Sequence, residues 1–290
     1  LVSVKTTYVV KLKSKPIVPI DSRNISPDKF AGRSLSDIKL LKVLEGGRET
    51  VLEELFDLEG PTTVVKEPGE IEIVVAGPGT DKLKYLGYRM SSGKIVVKGN
   101  VGHLAGYKMS GGSIVIEGRA GSYLGAKMKG GTIEVFGDVG DFAGGKLQGE
   151  KPGRGMSGGT IVIHGNAGSQ IGVGMSKGTI IVEGNARLLV GAFMTGGSIL
   201  VQGNCGGFAG ARMIGGKIII GGTIESILPS FYVDSMAPSA GVKGRTISKQ
   251  FMVFIGDALV DGKGMLYVAY EDNKLLLEQY KELVEVALIE

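Results

Sequence analysis

One pattern, repeated seven times, limits what this chain can become. Aligned on methionine, the segments "GYRMSSGKIVVKG", "GYKMSGGSIVIEG", "GAKMKGGTIEVFG", "GRGMSGGTIVIHG", "GVGMSKGTIIVEG", "GAFMTGGSILVQG" and "GARMIGGKIIIGG" share the form G-x-x-M-x-x-G-x-I-x-[IV]-x-G. The shared position holds Met90, Met109, Met128, Met156, Met175, Met194 and Met213, seven of the chain's 10 methionines. Successive methionines lie 19 residues apart, except for the step from Met128 to Met156, which is 28. A fixed period of this kind marks an architecture in which no unit can bury its apolar side alone and each must stack on its neighbours.

The unit is a β unit. Its I-x-V core is β-branched and bounded by glycines, too short and too punctuated for a helix pair. Nineteen residues with short strands and glycine corners fit one coil of a parallel β-helix, and seven coils at strand spacing would make a rod about 30 Å long. Of the repeat glycines, Gly87, Gly106, Gly125, Gly172, Gly191 and Gly210 precede the methionines. A second set, Gly99, Gly118, Gly137, Gly165, Gly184, Gly203 and Gly222, follows the strands, where the expected role is a corner with φ > 0. Asn100, Asp138, Asn166, Asn185 and Asn204 come next and suit a tight bend with hydrogen bonds from coil to coil; Arg119 interrupts that ladder.

Alternation sets the facing of the strands. Ile95/Val97, Ile114/Ile116, Ile133/Val135, Ile161/Ile163, Ile180/Val182, Ile199/Val201 and Ile218/Ile220 share one face and should fill the rod. Between them, pointing outward, stand Val96, Val115, Glu134, Val162, Ile181, Leu200 and Ile219. Six apolar residues of seven make too long a stripe to leave in water, so another part of the chain or another protein should cover it.

Around the repeats the text changes. Residues 1–70 read as an N-terminal cap and arm, with a strand near Thr7–Leu12, the proline-marked "KPIVPIDSRNISPDKFAG", a turn at Gly46-Gly47 and a short helix near Leu52–Phe56. Residues 71–222 are the repeat region, and 223–290 form a C-terminal cap with the strands "QFMVFIG" and "GMLYVAY" before a final helix. Asp272 or Asn273 could cap that helix, and Leu276, Tyr280, Leu283, Val284 and Ala287 give it an apolar face suited to covering the outer stripe. The fold class expected is therefore mainly β: a right-handed parallel β-helix, a single-stranded solenoid of about seven 19-residue coils with small α+β caps at both ends. The long step places extra residues within "GGKLQGEKPGRGM", where Lys146, Glu150, Lys151 and Arg154 describe a solvated loop able to dock a partner. Together with the apolar stripe, these four are the candidate partner interface.

Composition removes several function classes. Lys and Arg number 33 against 29 Asp and Glu, a formal charge of +4 without a basic block, so nucleic-acid binding has no support. The single cysteine, Cys205, excludes an internal disulfide and any multi-thiolate metal or iron–sulfur site from this chain alone, and fits a reducing cytoplasm. "LVSVKTTYVVKLKSKP" lacks an apolar core with a small-residue cleavage site, so no signal peptide is expected. The uncharged run Leu188–Ala211 has the length of a membrane span, yet it lies in register with repeats that carry charges, and no span is expected.

Chemistry is scarce as well. The stacked methionines read as core filling rather than a soft-metal site. His103 and His164 occupy different repeat positions without a third ligand, which suggests surface roles. Cys205 takes the place of Val101, Ala120, Val139, Ala167 and Ala186 and reads as a small apolar residue. No G-x-x-x-x-G-K-[ST] exists, because every Gly-Lys is followed by Ile, Leu or Gly, and no glycine cluster opens a helix after a strand. Glu117, Asp141 and Glu183 are scattered without an acid–base pairing. No catalytic, cofactor-binding or metal residue is expected, and the chain reads as a scaffold; a groove of the rod that takes a small anion or sugar is the rival reading.

The seven repeats, the N-terminal "PIVPIDSRNISPDKFAG" and "FIGDALVDGKGMLYVA" before the last helix together resemble the C subunit of formylmethanofuran dehydrogenase. The repeat by itself is also similar to the C-terminal domain of the glutamate synthase large subunit and to the corresponding subunit of the bacterial formyltransferase/hydrolase complex; the flanks and length favour the first. The resemblance implies a cytoplasmic archaeal complex that reduces carbon dioxide with ferredoxin electrons and condenses the product with methanofuran. It further implies that tungsto- or molybdopterin, iron–sulfur clusters and a dinuclear metal centre sit in other subunits. Those would be a metallopterin subunit, an amidohydrolase-like subunit, a small pterin-binding subunit and ferredoxin-like subunits. No catalytic residue is implied for this chain.

Overall fold

The computed structural model describes residues 5–287. Thirteen strands of the described residues form one sheet. Its centre is parallel and follows chain order, because each repeat lays its strand beside the strand of the repeat before. Lys94–Val97, Ser113–Ile116, Thr132–Val135, Ser157–Ile163, Lys177–Val182, Thr195–Val201 and Gly215–Ile220 pair in succession, with Ile95 against Ile114, Ile114 against Ile133 and so on to Ile199 against Ile218. A second parallel ladder of single bridges runs through Val101, Ala120, Val139, Ala167, Ala186, Cys205 and Ile224. Each repeat thus meets the next at two or more places along its length.

Both ends of the parallel run turn antiparallel. Thr6–Leu12 adds to Ile71–Ala76 in parallel and is then closed by Phe56–Glu59 running the other way. At the far end Gly264–Ala269 continues the run beside Gly215–Ile220, and Phe251–Gly256 and Tyr232–Ala237 follow antiparallel. The open edges of the repeat stack are covered in this way by strands of the same chain.

The inward-facing pairs behave as expected. Every Ile and Val of the seven I-x-V pairs, and all seven repeat methionines, are fully buried in one continuous cluster. Each methionine from Met90 to Met194 needs a notch in the following repeat. A Cβ at Gly131 would lie 2.8 Å from Cε of Met109, and one at Gly159 would lie 2.7 Å from Cε of Met128, so from Met109 onward the glycine three residues after the methionine makes room for the thioether of the repeat before.

The strand-following glycines work differently from the expectation. Of that set only Gly99 has φ in the left-handed range, at 142°. Gly137 instead sits so close to the previous repeat that a Cβ would lie 2.8 Å from the Gly118 carbonyl oxygen; what excludes a side chain there is the stacking distance, not φ. Positive φ falls on glycines on either side of the methionine, three residues before it as at Gly125 (58°) and three after it as at Gly131 (82°), and on two columns of non-glycine residues. One column holds Tyr85, Leu104, Tyr123, Phe142, Gln170, Leu189 and Phe208, at 60–64°. The other holds Arg89, Lys108, Lys127, Phe193 and Arg212, at 54–58°. The expected side-chain ladder is present: Asn100 accepts from Arg119 N–H at 2.8 Å, Asp138 from Asn166, Asn166 from Asn185, Asn185 from Asn204, and Asn204 from Thr223.

The cover of the outer stripe also departs from expectation. Ile181, Leu200 and Ile219 are buried by Ala240 and Val242 of the 240–247 hairpin and by Phe251 and Ala269, with Val162 and Ile247 packed at the margin. The C-terminal helix Lys274–Ala287 lies elsewhere and puts Leu277 and Val284 into the main core, with Leu276 and Tyr280 beside them. Leu283 is exposed, and the side chain of Ala287 lies outside those described. Neither expected cap residue acts as one: Asp272 pairs with Lys249 at 3.0 Å, and Asn273 accepts from Ile224 N–H while donating to the Gly222 and Ala269 carbonyls. No helix among the described residues is long and apolar enough to cross a membrane.

Candidate functional site

Among the described residues no group of three or more His, Cys, Asp or Glu could hold a metal ion. Cys205 is buried in the bridge ladder between Ala186 and Ile224, and its thiol is pushed up to about 12 by burial and the nearby Glu225 charge, which makes it a poor nucleophile or ligand. His103 is exposed, and its Nδ1 accepts from Ser122 N–H at 3.0 Å. Asp141 plays a comparable part, accepting from Ser169 N–H at 2.7 Å, and Glu117 pairs with Lys98.

His164 is more tightly held than a surface residue. Its Nε2 lies 2.9 Å from Glu134 and its Nδ1 2.8 Å from Glu183, and Phe136 stacks on the ring at 4.7 Å. Glu183 also takes Arg245 of the covering hairpin. The Glu134 hydrogen bond raises the His164 pKa, burial opposes it, and the bond and charge of Glu183 add to the rise. Burial would raise Glu183, but its bonds to His164 and Arg245 outweigh that and hold it below the usual carboxylate range. This cluster ties the hairpin to the repeats. It was invisible in the sequence because its members lie 19 to 62 residues apart.

The long step between Met128 and Met156 builds a different feature. Its loop is pinned to the following repeat: Lys146 N–H donates to the Val173 carbonyl at 2.9 Å and Gly155 N–H to the Gly174 carbonyl at 2.7 Å. Gly174 has no side chain where a Cβ would lie 2.6 Å from Cδ of Lys146, so the lysine stem can lie across it. Glu150 accepts from Leu147 N–H at 3.0 Å and pairs with Lys127. Burial raises the Glu150 pKa, yet those two hydrogen bonds and the Lys127 and Lys146 charges leave it below the usual range. Lys151 and Arg154 are exposed.

Beneath the loop lies a cleft of about 560 Å³, within the range of small-molecule sites. The loop forms one wall with Gly153, Arg154 and Gly155; Arg89, Lys108 and Lys127 rise from the left-handed column, and Lys129, Ser110 and Ser157 complete the lining. Five cations and no carboxylate line it. Of the expected interface residues, the structure therefore brings Arg154 into the cleft and sets Glu150 as the loop's anchor. Val96 is buried, Val115 and Val162 are half-buried, and Ile181, Leu200 and Ile219 are sealed by the chain itself, so a partner cannot use those three.

No protein-family model matches the chain. It is 37% identical over 89 residues to the C subunit of the tungsten-containing formylmethanofuran dehydrogenase 2 of Methanothermobacter wolfeii, 31% of this chain and 32% of that protein. It is also 37% identical over 95 residues to the C subunit of the molybdenum-containing formylmethanofuran dehydrogenase 1 of Methanothermobacter thermautotrophicus, 33% of this chain and 22% of that protein. The matched segment spans a third or less of these curated relatives. In solved structures, a chain of the formyltransferase/hydrolase complex (FhcABCD) from Methylorubrum extorquens, in complex with methylofuran, superposes with a TM-score of 0.76 at 28% identity, over 90% of this chain and 98% of that one. By sequence, over about a third of its length, this chain is similar to the C subunits of formylmethanofuran dehydrogenases, and by fold it is similar to a chain of the formyltransferase/hydrolase complex.

Proposed function

We propose that this chain is the non-catalytic, structural C subunit of a cytoplasmic formylmethanofuran dehydrogenase complex. On this reading residues 71–222 form a right-handed parallel β-helix between caps at 1–70 and 223–290. The two parallel ladders that step by one repeat support the helix, and the likeness to the C subunits of both tungsten- and molybdenum-containing enzymes carries the function. Metallopterin, iron–sulfur clusters and a dinuclear metal centre then belong to the metallopterin, ferredoxin-like and amidohydrolase-like subunits. The set is completed by the small pterin-binding subunit. The apolar margin at Val115 and Val162 and the exposed Lys151 and Arg154 are the surfaces offered to them.

Purification of the native protein under mild conditions tests this reading. The expected result is co-elution with a metallopterin subunit and an amidohydrolase-like subunit, with tungsten or molybdenum and iron in the pool; a lone monomer would refute it. The match over 98% of a formyltransferase/hydrolase chain favours a second reading, the equivalent subunit of such a hydrolase complex. The same pool would then hold formyltransferase and hydrolase partners and neither tungsten nor molybdenum.

A further inference from the structure

Charges on neighbouring repeats are mostly matched. Lys98 pairs with Glu117 one repeat on, Lys94 with Glu72, and His164 with Glu183. The cleft beneath the 146–155 loop breaks that habit. Arg89, Lys108 and Lys127 stand on consecutive repeats, and their backbones are one hydrogen-bonded rung apart: Arg89 N–H donates to the Tyr107 carbonyl and Lys108 N–H to the Ala126 carbonyl, each at 3.0 Å. Like charge is stacked on like, an arrangement that repels itself when nothing intervenes. Lys129, on the same repeat as Lys127, and Arg154 of the loop also line the cleft, and among the described residues only Lys127 of the five has a carboxylate partner.

The loop has the form of a built wall. Its extra length is the one departure from the 19-residue step, it is fastened at both ends to the repeats, and it adds Arg154 to the lining that the repeats supply with Arg89, Lys108, Lys127 and Lys129. Ser157 adds a hydroxyl to the lining, and the Ser110 hydroxyl, which donates to the Met90 carbonyl at 3.4 Å, keeps acceptor capacity only. Cations contributed by three repeats and by the loop, with a serine hydroxyl and no carboxylate in the lining, form the charge-assisted arrangement that recognises clustered anionic oxygens.

We propose that this cleft binds a small, multiply charged oxyanion bearing clustered phosphate or carboxylate groups. The site does not rest on the proposed function, and its test uses Lys108 and Lys129 rather than Arg154, which is also offered to a partner subunit, so either can fail without the other. Calorimetric titration of the full chain at low ionic strength, with tripolyphosphate and separately with citrate, tests it. Saturable one-site binding of at least one probe is expected; stronger binding of tripolyphosphate assigns phosphate chemistry and stronger binding of citrate assigns carboxylate chemistry. The double variant Lys108→Ala/Lys129→Ala should weaken the better probe at least about tenfold, the loss of charge-assisted contacts. Lys66→Ala/Lys263→Ala removes the same charge from exposed positions outside the cleft and should stay within about twofold. Should the first pair disturb folding, judged by far-UV circular dichroism, Lys108→Gln/Lys129→Gln replaces it. Absence of binding by both probes, or equal weakening in cleft and control variants, overturns the proposal.

Discussion

At the scale of single residues, glycine is required for two separable reasons, and substitution can tell them apart. Gly149 has φ +80° with nothing within 4 Å of where a Cβ would lie, whereas at Gly131, φ +82°, a Cβ would lie 2.7 Å from the Gly112 carbonyl oxygen and 2.8 Å from Cε of Met109. Gly149→Ala should cost about 1–2 kcal/mol, the left-handed penalty alone, and Gly131→Ala about 3–5 kcal/mol once overpacking is added. Urea unfolding of both variants measures the gap, and equal losses would refute the notch. His164 makes a second case. Its folded pKa is raised, so its contribution is fully present below the unfolded value of about 6.5 and is lost as pH rises through the folded value. Wild type should therefore exceed His164→Gln in stability by more at about pH 6 than at about pH 9. A gap that grows with pH would contradict the assignment. The inward Ile and Val and the seven methionines were legible because alternation and period fix their facing. The left-handed conformation of Leu104, Tyr123 and Phe142 was not: it goes with hydrogen bonds to the next repeat, such as Leu104 N–H to the Ser122 carbonyl, and large side chains carry no mark of it.

Among elements, the informative case is the cover of the outer stripe. The stripe itself could be read, since Ile181, Leu200 and Ile219 stand where a half-exposed strand would be polar. Its partner could not, because the terminal helix has the more apolar face while the 240–247 hairpin, "AGVKGRTI", is short and polar. Contacts over long separations decide between them. Lys243 reaches Thr160 at 2.7 Å, Arg245 reaches Glu183, and Val242 closes over the stripe. Val242→Asp would put a carboxylate against that apolar surface, a change of about 2 kcal/mol or more. The expected outcome is a lower melting temperature and binding of a hydrophobic dye below the transition, with the repeat core otherwise intact. Leu275→Asp, on the fully exposed side of the helix, should change neither. Dye binding by both variants, or by neither, would remove the hairpin from its role. The basic cleft was unreadable for a related reason: no local motif exists, and its cations come from three repeats and a loop that only stacking brings together.

At the scale of the molecule, length and register are governed by the same 19-residue step. Strand pairs, single bridges and the Asn ladder all connect residues one repeat apart, so stability is close to a sum of like units and their interfaces. Removal of a whole unit should then be tolerated when it restores every partner. Deleting residues 101–119 joins Asn100 to Ala120 and leaves Met90 and Met128 separated by a single repeat step; the Met90 notch at Gly112 is replaced by Gly131, and strand Thr132–Val135 can pair with Lys94–Val97. Such a chain should fold with one cooperative transition at a lower melting temperature. Deleting only 101–110 removes about half a unit and leaves too little chain between Lys94–Val97 and Ser113–Ile116 to bring those strands into parallel register, so the stack is broken between the N-terminal cap and every later repeat. That chain should not fold cooperatively. Calorimetry of the two deletions decides the matter, for if both fold alike, or the whole-unit deletion fails while the half-unit deletion survives, the repeat is not the unit on which the molecule is built.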